Sequence, residues 1–418
     1  MQRLTRCLWM GIGLLAALPH AAVAQTPLTW QQVKEQFTAT NPTLRAGRIA
    51  VDEAKAQEVT AYLRPNPDLT TTLDQLAPFS GNPYRPLGSA LPLLSGSYLH
   101  ERAGKRELRL ESAKKGTAVA ESQLADQQRT LLFNLRYAFV QALQQKAVVA
   151  LATENLAYYD KVLAVGADRF KAGDIAQVDL DRLELQRVQF ETDLQSARVN
   201  LRTAKIQLLT LLNDRTPIDR FDITGEFEFT EQVLTAEEVH AAALANRPDL
   251  RAAMQSVDKA KTDHQLAVAN GSTDPTFGVD LGRNPPIPVY IGVSVTIPLK
   301  LFDRNQGEKE RTQLDIRRNE RLEDATRAQI FSDADSALAA WNSSRVLLRS
   351  YKTRYLAQAT RIRETVSFAY EHGGSSLLDF LNAQNDYRSV QLNYLNLVGA
   401  YMTAAGQLNM AAGSEVAR

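Results

Sequence analysis

Cysteine is almost absent from this chain. The 418 residues contain one, Cys7, and it falls in a stretch that reads as a removable leader. The exported chain would then have no disulfide, no thiolate metal ligand and no N-terminal cysteine to acylate. Charge of one sign is lacking too. Against 48 Lys and Arg stand 47 Asp and Glu, interspersed, for a net charge of +1. Nucleic-acid binders usually carry a basic face, so nucleic acid is not an expected partner. Beyond the leader no apolar run approaches the ~20 residues of a membrane-spanning helix. Histidine is scarce: past the leader only His100, His240, His264 and His372 remain, without paired ligand spacing. With few methionines and no thiol, a soft copper(I) site is not built. No metal site or cofactor is expected, and His372 reads as a solvated polar residue. The chain shows no phosphate loop, no nucleophile constellation and no paired acid/base motif, so enzyme activity is not expected. Glycine (21) and proline (16) are modest, which argues against disorder.

What is present begins with that leader. Arg3 and Arg6 precede an apolar Leu8–Leu18, and Ala22-Val23-Ala24 is a small-x-small cleavage site. Residues 1–24 are therefore expected to be a signal peptide. The remainder says almost the same thing twice. Leu28-Thr29-Trp30 through Asn41-Pro42-Thr43-Leu44-Arg45-Ala46 returns as Leu234-Thr235-Ala236 through Arg247-Pro248-Asp249-Leu250-Arg251-Ala252. Val51-Asp52-Glu53-Ala54-Lys55 returns as Val257-Asp258-Lys259-Ala260-Lys261. The unit of roughly two hundred residues is too long for a solenoid repeat of ~20–50 and reads as a duplicated half. We place the first repeat at 25–213, a connector at 214–233 and the second repeat at 234–418.

Each half opens with a short helix ending near the Asn-Pro or Arg-Pro step, then a strand pair, then two very long helical stretches. Thr117–Val165, Asp174–Thr216 and Glu308–His372 contain neither glycine nor proline. A continuous helix of ~65 residues would be roughly 98 Å long, a length typical of coiled coils or stacked bundles. Phe190, Leu194, Ala197, Leu201, Ala204, Leu208 and Leu211 alternate four and three apart. So do Val390, Tyr394, Leu397, Tyr401, Ala404, Leu408 and Ala411 in the second half. This 3.5-residue seam implies left-handed supercoiling.

Strands are expected at about 68–76 and 94–102, and at 276–282 and 290–297. Phe277, Val279 and Leu281 share one face and Asp280 takes the other; Ile291, Val293, Val295 and Ile297 alternate likewise. Asn284–Pro288 reads as a turn, and the Pro- and Gly-rich Ala77–Ser95 as a long exposed loop. That loop accounts for the slip in repeat register between Pro67/Pro275 and Gly173/Gly373. These residues alone fit a half-buried soluble hairpin as well as an outer-membrane barrel strand. Four strands cannot close a barrel, since the smallest have eight. If they lie in lipid, three copies would supply twelve.

At this point the chain resembles the TolC family of outer-membrane efflux ducts. The most specific stretches are Ile297-Pro298-Leu299 with Phe302-Asp303-Arg304-Asn305-Gln306-Gly307, and Ala103-Gly104-Lys105-Arg106 in the first half. The former, and Val165-Gly166-Ala167-Asp168-Arg169-Phe170 through Gly173, are similar to the CzcC-like heavy-metal branch. The resemblance implies a mainly α fold with a small β part. Duplicated helical hairpins would form a periplasmic tunnel, and four strands per chain would join a trimeric 12-stranded outer-membrane barrel. It implies a homotrimer, a periplasmic adaptor, an inner-membrane resistance-nodulation-division pump and outer-membrane lipid as partners. The expected activity is export of heavy-metal cations through a pore gated at the helix tips, near 165–180 and 366–382. A duct for drugs or organic compounds, or for type I secretion, is the alternative. A soluble periplasmic coiled-coil scaffold is the alternative of another class. The absence of an N-terminal cysteine argues against a lipoprotein. Asp379 is expected at the constriction, with Asn382 where the family has a second aspartate, and Asp179 as its first-half counterpart. Val165, Gly166, Ala167 and Arg169, with the hairpin glycines Gly173 and Gly373, are expected to dock the adaptor.

Overall fold

The computed structural model describes residues 27–79 and 81–417; the expected signal peptide lies outside them. Each half begins with a helix opened by a capping box: Thr29 with Gln32 before α1 (Trp30–Thr40), and Thr235 with Glu238 before α5 (Ala236–Asn246). In each box the threonine hydroxyl and the third residue's side chain satisfy two backbone N–H groups that a helix start leaves free. Proline then sits at the first turn of α2 (Pro42–Tyr62) and of α6 (Pro248–Asn270), where a missing N–H does no harm.

Strands β1 (Asp68–Asp74), β2 (Leu91–Leu99), β3 (Thr276–Asn284) and β4 (Ile287–Thr296) form one antiparallel sheet in the order β1-β2-β3-β4. Two expectations are corrected here. The second strand runs 91–99 rather than 94–102, so the loop closes earlier than Ser95. Pro92 is the reason it read as loop. It pairs with Leu73 of β1, but the β2–β3 ladder begins at Leu93, so its missing N–H is not needed on that side. The turn expected over 284–288 is narrower, because β3 and β4 pair out to Asn284 and Ile287.

The strand order continues into the helices. Below the sheet lie α2, α3 (Lys105–Ala172), α6 and α7 (Gln306–Ser350). They pack in a single layer as α2 on α3, α3 on α6 and α6 on α7. Among the described residues the large apolar clusters lie outside this upper layer. Beside small apolar residues such as Ala260 and Ala267, its seams carry polar bonds: Lys115 Nζ donates to Thr262 Oγ1 at 2.7 Å, Ser122 Oγ to Gln255 Oε1 at 2.7 Å, and Thr117 Oγ1 to Glu58 Oε1 at 2.5 Å. Ser112 and Asp263 are also bonded. The buried small residues Ser112, Thr117, Ser122, Thr262 and Thr312 let the helix backbones approach.

The apolar cores lie lower, one per half at the level of α1 and α5. Val33, Phe37 and Leu44 pack with Leu135, Phe139, Leu208 and Ile223. Val239 packs with Ala337, Trp341, Tyr401 and Leu408, and Phe229 from the connector closes this second core edge-on to Tyr401 at 5.1 Å. Below them α3 pairs with α4 (Gln177–Leu211), and α8 (Leu356–Glu371) with α9 (Leu377–Ala412). The predicted seam is the packed face: Phe190, Leu194, Ala197, Ala204 and Leu208 are buried, as are Tyr401, Ala404, Leu408 and Ala411. The halves differ in one respect the sequence does not announce. α3 is unbroken over 68 residues. Its counterpart is interrupted by a π-turn at Tyr351–Tyr355, against which the connector is strapped by Lys352 Nζ to the Phe229 carbonyl at 3.2 Å. The observed class is the expected one, mainly α with four strands and two long helical hairpins.

Candidate functional site

The sheet presents two unlike faces. Cross-strand partners place Leu94, Leu281 and Ile291 in one row, and Tyr98, Phe277 and Val295 in another. On this face Phe277, Val279, Leu281, Ile291, Val293 and Val295 are all exposed, Val293 at 84%. The opposite face carries Thr70, Ser95, Asp280 and Ser294, and Ser95 Oγ donates to Asp280 Oδ1 at 2.5 Å. An apolar face left outside and a polar face with a carboxylate suit a wall between lipid and water. The edges β1 and β4 have no partner strand among the described residues. Open strand edges are not tolerated in lipid. No helix among the described residues is long and apolar enough to cross a membrane.

At the other end of the molecule the two hairpins turn by the same device. Gly173 and Gly373 adopt φ of 83° and 76°, a left-handed conformation that costs glycine little. The next residue then bonds back five positions, Asp174 N to Arg169 O at 2.9 Å and Gly374 N to Ala369 O at 2.7 Å, which closes each helix end. At the second tip Ser376 caps α9. Its Oγ accepts from Asp379 N at 3.1 Å and donates to Asp379 Oδ2 at 2.7 Å.

The tips are not equivalent in charge. Asp179, in the first turn of α4, lies 3.5 Å from Arg182 one turn on. Asp379 occupies the matching place in α9, but Asn382 stands where the first half has Arg182. Asp379 and Asn382 are both exposed on one helix face, and Asp379 makes no ion pair among the described residues. A helix N-terminus stabilises such a carboxylate. His372 folds onto its own helix, with Nδ1 2.8 Å from the Phe368 carbonyl and the two rings 4.1 Å apart. Among the described residues no group of three or more His, Cys, Asp or Glu could hold a metal ion.

The expected adaptor-docking residues divide into two sets. Val165 is exposed, Ala167 half-buried, and Gly173 and Gly373 are exposed at the bends. Gly166 and Arg169 are instead used inside the chain. Gly166 is buried, and a Cβ there would meet Leu183 Cδ1 at 2.6 Å, so it lets α4 approach α3. Arg169 Nη1 donates to the Tyr370 carbonyl at 2.8 Å, and its guanidinium lies 5.0 Å from the Tyr370 ring centre. It thereby ties the first tip to the second.

Behind that tie is a joint core that the sequence did not reveal. Tyr370 stacks on Phe380 at 4.8 Å, and Tyr159 lies 4.8 Å from Phe190. Burial raises the hydroxyl pKa of both Tyr159 and Tyr370, so neither ionises near neutrality. Arg363 lies 3.7 Å over Tyr387 and 4.9 Å from Tyr158, whose hydroxyl donates to Ser367 Oγ at 2.9 Å. Arg388 pairs with Asp193 across a groove of about 350 Å³ between α3, α4 and α9.

Comparison with known proteins fits this geometry. Residues 239–414 match the family described as outer membrane efflux protein. The cobalt-zinc-cadmium resistance protein CzcC of Cupriavidus metallidurans is 24% identical, covering 98% of this chain and 100% of its own length. The channel MtrE of Neisseria gonorrhoeae, solved in its open state, superposes with a TM-score of 0.74 at 18% identity, over 93% of this chain and 90% of that one. The transmembrane channel protein CusC superposes with a TM-score of 0.75 at 17% identity, over 92% of each. The second half thus matches the outer membrane efflux protein family, and across both halves the chain shares the fold of the solved channels CusC and MtrE.

Proposed function

We propose that the chain is the outer-membrane exit duct of a tripartite efflux system. Three copies would close twelve strands into a barrel in the outer membrane and continue below it as a periplasmic helical tunnel. An inner-membrane resistance-nodulation-division pump would deliver cargo through a periplasmic adaptor. The observation that carries this reading is the sheet, with one face of exposed Val, Ile, Leu and Phe, a polar face behind it, and two open edges. Only ring closure satisfies those edges in lipid. A soluble scaffold has no use for such a face.

The finer proposal concerns cargo and gate. Heavy-metal cations are the cargo class supported by the whole-length similarity to CzcC, whose name states cobalt, zinc and cadmium. The gate is assigned to the tips. In a trimer the exposed face of Asp379 and Asn382 would form a ring of three carboxylates and three amides at the constriction, which favours cations. Asp179, paired with Arg182, contributes less field. Val165, Ala167 and the bends at Gly173 and Gly373 would meet the adaptor, while Arg169 holds the two tips of a chain together from within.

Fractionation tests the location. Recovery in the soluble periplasm without detergent would sink the duct reading. Deleting the coding sequence tests the cargo: tolerance to zinc, cobalt or cadmium should fall. If tolerance to organic dyes falls instead, the cargo is organic.

A further inference from the structure

Two apolar patches sit at opposite edges of the sheet, both at its helix end. One is the segment after β4, where Ile297, Leu299, Leu301 and Phe302 are all exposed, Phe302 at 91%. The other precedes β1 at the end of α2, where Val59, Tyr62 and Leu63 are exposed. The register fixes their level, because Asp68 pairs toward Ser97, and Thr276 with both Leu99 and Thr296. The start of β1 and the end of β4 therefore share one end of the sheet.

Both patches are held in place by their polar neighbours. Lys300 Nζ donates to the Asn270 carbonyl at 2.5 Å, and Asn305 Nδ2 to the Ala267 carbonyl at 2.7 Å. On the other edge Arg109 donates to the Ala61 and Leu63 carbonyls at 3.3 Å, and Arg106 lies 3.9 Å over the Tyr62 ring. The polar atoms turn inward and the apolar side chains stay outside, in segments already ordered. Ordering before contact removes much of the usual penalty of binding.

We propose that these patches meet between neighbouring copies, 297–302 of one against 59–63 of the next, as an apolar collar just below the barrel. The proposal rests on the trimeric barrel reading. When β4 of one copy pairs antiparallel with β1 of the next, the end of β4 lies beside the start of β1, and the two patches are brought together. Within one chain they cannot touch, because three strand spacings of ~4.8 Å hold the edges ~14 Å apart. Lipid is the poorer occupant. A lipid-facing strand needs apolar residues only at alternate positions, whereas Leu301 and Phe302 are consecutive, lie past the end of β4 and are both exposed.

The lack of cysteine beyond Cys7 gives a clean test. Two double variants, Leu63→Cys with Leu301→Cys and Tyr62→Cys with Phe302→Cys, are oxidised in isolated outer membranes and run without reductant. A scan of cysteine pairs along β1 and β4 is run in parallel. The collar predicts dimer and trimer ladders from at least one collar pair, reversed by reductant and absent from the single variants. Disulfides need Cα atoms about 4.4–6.8 Å apart, so an intrachain bond cannot mimic the ladder. Ladders from the strand scan without any from either collar pair would overturn the collar and leave the barrel standing. No ladder from either set overturns both.

Discussion

Replacing Arg169 should loosen the tie between the two hairpin tips of one chain, leaving their joint core to hold them. The side chain makes a charged hydrogen bond to the Tyr370 carbonyl and a cation–π contact with the Tyr370 ring. Hydrogen bonds involving a charged group contribute roughly 1.5–3 kcal/mol, and an exposed cation–π contact roughly 0.5–1 kcal/mol. Arg169 is only half-buried, so the lower parts of both ranges apply, about 2–3 kcal/mol together. At 1.4 kcal/mol per tenfold, the balance between joined and parted tips should move roughly 30- to 150-fold. Arg169→Lys keeps the charge but not the planar fork and should lose less. Tyr370→Leu keeps the carbonyl bond but loses both the ring's contact with Arg169 and its stacking on Phe380. Tyr370→Phe should be close to neutral, because the buried Tyr370 hydroxyl has no hydrogen-bond partner among the described residues. The assay is single-channel recording in planar bilayers, reading conductance and the fraction of time open. The expected order of increased opening is Arg169→Ala, then Arg169→Lys, then Tyr370→Phe. If Arg169→Ala is indistinguishable from the parent in both readouts, the tie does not restrain the gate.

Further expectations follow from the same geometry. Asp379→Ala should reduce cation selectivity and divalent block, and Asn382→Asp should increase both; unchanged reversal potentials in salt gradients would remove Asp379 from the pore. Gly166→Ala should crowd Leu183 and offset the roughly 1 kcal/mol that alanine gains over glycine in a helix. With Leu183→Ala present that crowding disappears, so Gly166→Ala should then raise the melting temperature; equal shifts in both backgrounds would show no contact. Arg247 is buried and paired with Asp249 at 2.6 Å and Asp333 at 2.9 Å, and this cluster predicts acid lability. Burial pushes the Asp249 carboxyl up, but bonding to Arg247 and the charges of Arg247 and Arg129 more than offset it and hold it below the usual range. Its stabilisation is present above the ordinary aspartate value near ~4 and is lost as pH falls through the lower native value. Asp249→Asn should reduce the helicity lost on acidification to pH ~2; an unchanged acid transition by circular dichroism would refute it.

The long helices were legible because glycine and proline mark their ends so clearly: Gly173 and Gly373 stop them where expected. The alternation in β3 and β4 was legible for the same local reason. β2 was misplaced because Pro92 looks like a loop residue until its one-sided pairing is seen. The roles of Gly166 and Arg169 were not legible, since Leu183 and Tyr370 reach them only through the packing of hairpins. Sequence reading sees a small residue and a cation near a bend and cannot tell an outward contact from an inward one. The π-turn at Tyr351–Tyr355 was hidden likewise, as no glycine or proline marks it.

The single layer of α2, α3, α6 and α7 has a thermodynamic consequence. Its seams mix hydroxyls, carboxylates and lysines with small apolar residues such as Ala260 and Ala267. Unfolding normally raises the heat capacity by ~12–15 cal/mol/K per residue, because apolar surface is newly hydrated. Residues of this layer expose less new apolar surface than those around Trp341 or Phe139, so their share of that increment is smaller. The stability curve of this stretch is correspondingly flatter with temperature than that of the two cores beneath it.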